Sequence, residues 1–205
     1  SPLGTLLRLR WAEEDSSEKD WYDFALRDGD TGAYIPYDQV VINHYWDPEG
    51  YVDSVYELYG DVRGLKQLEI IPTTSVGGVS PRQVVALEDL PSVDSGNPDG
   101  GYAPASYEAV DGQLIVKMQP VGAVNAWYAR LLNGVYFQDA QGEDLFEDVW
   151  VEKIKNRSDG TITVISTPSA ESYARDVDKV AQICFFVQQY KLLEGQKAVI
   201  RLDAQ

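Results

Sequence analysis

Residues 167–193 read TPSAESYARDVDKVAQICFFVQQYKLL, and the way they fold decides the class of the whole chain. The spacing predicts a long helix. Thr167 can cap it and Pro168 suits its first position, while Glu171, Asp176 and Asp178 favour the positive end of the helix dipole. Lys191 followed by Gly195 suits the other end. Tyr173, Val177, Val180, Cys184 and Val187 form one stripe at helical spacing, and Ile183, Phe186, Tyr190 and Leu193 form a second. A helix apolar on two sides is buried on both, so it is expected to cover a sheet.

Around this stretch the texture is that of strands. Asp148 to Lys155 and Thr161 to Ser166 read as a hairpin across Asn156–Gly160, and Ala198 to Leu202 as a last strand. Gln113 to Gln119 alternates apolar and polar residues with period two. Val124, Trp127, Tyr128, Leu131 and Leu132 have helical spacing that stops at Asn133-Gly134, which predicts a short helix over 124–132. Leu7, Leu9 and Trp11 alternate with Arg8 and Arg10. Tyr22, Phe24 and Leu26 lead into the turn residues Asp28 to Gly32, and further strand patterns cover 40–46, 51–59 and 65–71. Sequential strands joined by short turns usually pair, so the first 71 residues are expected to form an antiparallel meander.

Between residues 72 and 106, half the prolines of the chain and several glycines interrupt the pattern, which reads as a loop, an assembly arm or a linker. The predicted class is therefore α+β: an acidic antiparallel region 1–71, the Pro/Gly-rich stretch 72–106, and an α+β region 107–205 that can be continuous with the first. The expected core includes Leu7, Leu9, Phe24, Ile42, Trp127, Leu131, Val177, Val180, Cys184 and Val187.

Charge is unevenly spread. Residues 1–150 hold 26 Asp/Glu against 9 Lys/Arg and residues 151–205 hold 7 against 8, which together make the net charge of −16. A field of that sign repels nucleic acid and anionic membranes and attracts basic surfaces. The 13 Tyr, 5 Trp and 5 Phe are too many for a solvated acidic tail, so the acidity belongs to a folded surface. The single cysteine excludes an internal disulfide. No apolar run is long enough for a membrane helix, and Ser1 to Trp11 lacks the pattern of a signal peptide. The cytoplasm or a virion is the expected location.

Candidate chemistry is sparse. His44 is the sole histidine, so neither a histidine-based triad nor a multi-histidine metal site can be assembled. Cys184 reads as a packed thiol. Asp28, Asp30 and Gly32, and likewise Asn97, Asp99 and Gly100, echo the start of a calcium loop but lack the remaining ligands, so turn formation explains them better. Carboxylate pairs such as Asp144 with Glu147 and Asp148, or Asp47 with Glu49, are expected by chance among 33 acids. Asn156-Arg157-Ser158 fits a glycosylation acceptor pattern that matters only in a secreted protein. No cofactor or metal is expected.

One constellation stands above this background. Alternation cannot bury all of Tyr45, Trp46, Tyr51, Tyr56 and Tyr59 on one face, so part of this acidic, aromatic segment is expected at an interaction surface. The chain is thus expected to be a non-enzymatic structural or protein-interaction protein. It would form homo-oligomers or larger assemblies with protein partners, a virus or phage particle being a suitable setting, without direct nucleic-acid or membrane binding. An acidic inhibitor that mimics nucleic acid and a carbohydrate-binding β module are the alternatives.

Overall fold

Period-two alternation governs the chain far beyond its first 71 residues. The computed structural model describes residues 5–12, 23–43, 51–77, 80–124, 135–187 and 189–202, and every strand pair in it is antiparallel. The first five strands are β1 (Thr5–Ala12), β2 (Phe24–Asp28), β3 (Tyr37–Asn43), β4 (Tyr51–Leu58) and β5 (Gln67–Ser75). They do not form the expected meander. β4 lies between β1 and β3, whereas β2 pairs with β5 in a second sheet. After the Asp28–Gly32 turn the chain makes one bridge, Arg27 to Tyr34, and crosses to the first sheet. Burial explains the crossing, because it sets Phe24 and Leu26 against Tyr37, Tyr56 and Leu58. Phe24 stacks on Tyr37 at 4.9 Å between ring centres, and Tyr56 meets Phe24 edge-on at the same distance. Both geometries suit the aromatic quadrupole.

A second lobe follows. Within 72–106 the chain forms β6 (Arg82–Ala86) and the start of β7 (Gly100–Val110). The two-residue turn Asp111-Gly112 joins β7 to β8 (Gln113–Gly122) with positive φ at both residues, which matches the right-handed twist of a hairpin. Then come β9 (Val135–Gln138), β10 (Asp144–Leu145), β11 (Val149–Lys155), β12 (Ile162–Pro168) and β13 (Gln182–Phe186). The third sheet has the order β10-β9-β13-β6, and the fourth β11-β12-β8-β7. Their inner faces share one core, in which Leu114, Val116, Ile162 and Val164 meet Phe137, Ile183 and Phe185.

The described residues hold no long C-terminal helix, and they are nearly all β rather than α+β. Pro168 ends β12, and Ser169, not Thr167, accepts the capping hydrogen bond from the Ser172 amide at 3.2 Å. The helix α1 then runs only from Ala170 to Asp176 before a 3₁₀ turn at Val177–Lys179. Asp176 is buried there and held by Arg175 at 2.7 Å and Lys179 at 2.9 Å. From Gln182 the backbone is a strand. Ile183 and Phe185 point into the core, while Cys184 and Phe186 share the opposite face. A short apolar run fits both periods. Here the central position between β6 and β9 wins, because it satisfies the backbone on both edges and buries two large side chains, at about 1.5–3 kcal/mol each.

Of the expected core, Phe24, Cys184 and Val187 are buried, and Leu7, Leu9, Val177 and Val180 pack partly buried at the cluster margins. The expected helix over 124–132, with Trp127 and Leu131, lies largely outside the described residues, and so does the side chain of Ile42.

The chain then returns to the first lobe. β14 (Tyr190–Leu192) and β15 (Ala198–Arg201) take successive stretches of one edge of β5, opposite β2. The second lobe is therefore inserted into the first, leaving after Ser75 and returning at Tyr190, its register partner. Ionic contacts hold the returning segment on β5. Glu69 takes Arg27 at 2.6 Å and Lys197 at 2.5 Å, and Arg27 also meets Glu194 at 2.7 Å. At the far side, the β11–β12 turn seats against the first lobe through Lys155 to Asp38 at 2.7 Å and Arg157 to Glu57 at 3.4 Å. Gly160 in that turn has φ +72°, and a Cβ there would meet the Pro36 Cβ at 2.4 Å, so the close approach needs glycine. Among the described residues, no helix is long and apolar enough to cross a membrane.

Candidate functional site

Among the described residues, the outer face of the third sheet holds several exposed apolar side chains beside polar partners. The register places Val84 of β6, Cys184 of β13 and Tyr136 of β9 side by side, with Arg82 and Phe186 next along. Gln138 and Asp144 follow on the other side of Cys184. Val84, Tyr136 and Phe186 are 45%, 42% and 46% exposed. Tyr136 and Phe186 make an edge-on pair at 5.7 Å.

Arg82 crosses this face. Its guanidinium lies 5.5 Å from the centre of the Tyr136 ring and reaches Asp144 at 2.5 Å. The hydrogen bond to Arg82, helped by one from Gln138, holds the Asp144 carboxyl below its usual range. Asp144 Oδ1 accepts from Gln138 Nε2 at 2.9 Å, and Gln138 Oε1 accepts the Cys184 thiol hydrogen at 2.9 Å. Cys184 is wholly buried, and burial pushes its thiol pKa up. A thiol held protonated with its hydrogen committed to an amide is a poor nucleophile. The arrangement offers flat aromatic and aliphatic area around one ion pair of zero net charge, which suits contact with another macromolecule.

A second exposed face belongs to the fourth sheet. Trp150 on the edge strand β11 is 75% exposed, and Ile154 on the same face is also open. Glu147, Asp148 and Glu152, all exposed, flank Trp150 in the chain. This face is aromatic and acidic, unlike the balanced one.

The segment expected to make contacts is distributed differently. Tyr56 and Tyr59 are core residues, each 5% exposed. Burial raises both hydroxyl pKa values, that of Tyr59 further because Asp38 and Glu57 lie near it. Tyr51 belongs to the backbone of β4, and Tyr45, Trp46, His44, Asp47 and Glu49 lie outside the described residues. The calcium-like loops are closed by their own side chains. Asp28 Oδ1 accepts from the Asp30 amide at 2.9 Å, and Asn97 Oδ1 accepts from the Asp99 amide at 3.2 Å. Among the described residues no group of three or more His, Cys, Asp or Glu could hold a metal ion. Asn156 Oδ1 accepts from the Ser158 hydroxyl at 2.8 Å, inside the turn that meets the first lobe.

Val84, Tyr136, Phe186 and Trp150 were not among the expected contact residues. The signal for Phe186 was present: read with period two, 182–186 places it beside Cys184 and away from Ile183 and Phe185. Comparison of the chain with protein-family models, with curated proteins and with solved structures gives no match.

Proposed function

We propose that this chain is a non-enzymatic structural protein that assembles with copies of itself or with other proteins, a virus or phage particle being a suitable setting. The observation that carries the reading is the outer face of the third sheet, where three half-exposed apolar side chains surround one ion pair on a molecule of net charge −16. Open apolar patches rimmed by polar groups mark interaction sites. The carboxylates also favour this reading over a nucleic-acid mimic. Glu69, Asp38, Glu57, Asp144 and Asp176 are all engaged with cations of the same chain, and a mimic needs its acids free and spaced like phosphates.

Size-exclusion chromatography with light scattering across a concentration series tests the proposal. Oligomers that persist or grow in added salt are expected. A monomer at every concentration that captures a nucleic-acid-handling enzyme only at low salt would overturn it. The carbohydrate-binding reading draws support from one feature, the open Trp150 ring beside Glu152, because an indole can stack on a sugar ring while a carboxylate accepts hydroxyl hydrogen bonds. Glycan-array binding that disappears in Trp150→Ala would favour it.

A further inference from the structure

We infer that the outer face of the third sheet pairs with the same face of a second copy of this chain, as an isologous two-fold contact; this rests on the assembly reading above and specifies its interface. Electrostatics selects the occupant. Two molecules of net charge −16 repel one another overall, and they meet at least cost where the local charge is balanced. On this face the charged side chains are one cation and one anion, Arg82 and Asp144, bonded to each other at 2.5 Å. The pair is self-complementary: a two-fold axis lets each Arg82 face the Asp144 of the second copy, as an isologous interface requires. Val84, Tyr136 and Phe186 supply the area around it, and the enrichment of aromatics and arginine matches the centres of protein interfaces. The Trp150 face does not suit the same occupant, because the acids flanking Trp150 would oppose those of another copy.

The test uses the whole chain in sedimentation and light scattering, with near-UV circular dichroism to confirm that each variant is folded. Phe186→Ser and Tyr136→Ser change exposed rings, not core ones, and each is expected to weaken self-association about tenfold or more. Charge variants give an independent readout. Arg82→Asp makes the pair wholly negative and Asp144→Arg makes it wholly positive, so each alone is expected to stay monomeric. Mixed together they are expected to form a one-to-one heterodimer, which an ion pair acting only within one chain cannot produce. Wild-type oligomers that survive Phe186→Ser and both charge variants would overturn the location and leave the assembly reading standing. A wild-type chain that is monomeric at every concentration would overturn this inference together with the self-assembly part of that reading.

Discussion

Replacing Glu69 by Gln tests how the returning C-terminal segment is held on the sheet of the first lobe. Glu69 lies on β5, is 7% exposed, and receives Arg27 on one oxygen at 2.6 Å and Lys197 on the other at 2.5 Å. Both cations hold its pKa below the usual carboxylate range, the Lys197 hydrogen bond most of all. A hydrogen bond to a charged group contributes about 1.5–3 kcal/mol and a neutral one about 0.5–1.5. Removing the charge therefore costs about 1 kcal/mol at each partner, and the new amide turns a donor toward one of the cations. Arg27 keeps Glu194, which limits the loss. The sum is about 2–3 kcal/mol, and for a chain of this size each kcal/mol lowers Tm by about 2–4 °C. Thermal unfolding at pH 7 is thus expected to show a Tm lower by roughly 4–12 °C. The pH dependence follows from the sign of the shift. A carboxyl whose folded pKa is depressed stabilises fully above its unfolded value of 4.5 and loses that contribution as pH falls through the folded one. The gap between wild type and variant should narrow as the pH is lowered from 7 to below 4.5. A Tm difference below about 1 °C at pH 7, or one that does not change with pH, would refute the reasoning.

Tyr56→Ala removes a ring from the Phe24–Tyr37–Tyr56 cluster and should cost about 3–5 kcal/mol in urea unfolding, with no direct effect on association while the fold persists. At Cys184 two variants are expected to differ. Cys184→Ser keeps a donor for Gln138 Oε1 and should cost about 1 kcal/mol, whereas Cys184→Ala leaves that buried acceptor unpaired and should cost about 1–2 kcal/mol more, measured by chemical denaturation. The native thiol should react with a water-soluble alkylating reagent only as the protein unfolds.

How much of this was legible depended on whether the deciding interaction was local. The β11–β12 hairpin was readable because Asn156 to Gly160 supplies its own turn chemistry, with Asn156 and Asp159 bonding the backbone two residues on. Asp111-Gly112 carried an equally local hairpin signal. Residues 182–186 were not readable in the same way. Both periods fit IleCysPhePhe, and the choice was made by β6 and β9, which lie about 100 and 45 residues upstream in the chain. Tyr56 and Tyr59 misled for a related reason: alternation limits one strand to one buried face, but Tyr59 lies just past the end of β4 and is buried by the turn at Gly160 from the other lobe. The charge split was visible as a count. Its structural use was not, since Lys155 and Arg157 serve Asp38 and Glu57 about 100 residues away in sequence.

That internal use of charge bears on what the surface can recognise. Acids bound to cations of the same chain attract a partner less; exposed Glu147, Asp148 and Glu152 flank Trp150, whereas Asp144 is paired with Arg82. The two faces lie on opposite sides of one two-sheet lobe. Salt should act on them with opposite sign. Screening the net charge of −16 lowers the repulsion between copies and strengthens contact through the third sheet, whereas it weakens any basic partner drawn to Trp150 and its neighbouring acids. A dimer closed through the third sheet would leave both Trp150 faces outward, and two weak contacts to one extended partner would then act together at high effective concentration. Such a partner should bind the wild-type chain more tightly than the monomeric Arg82→Asp variant, although Arg82 lies on the opposite side from Trp150.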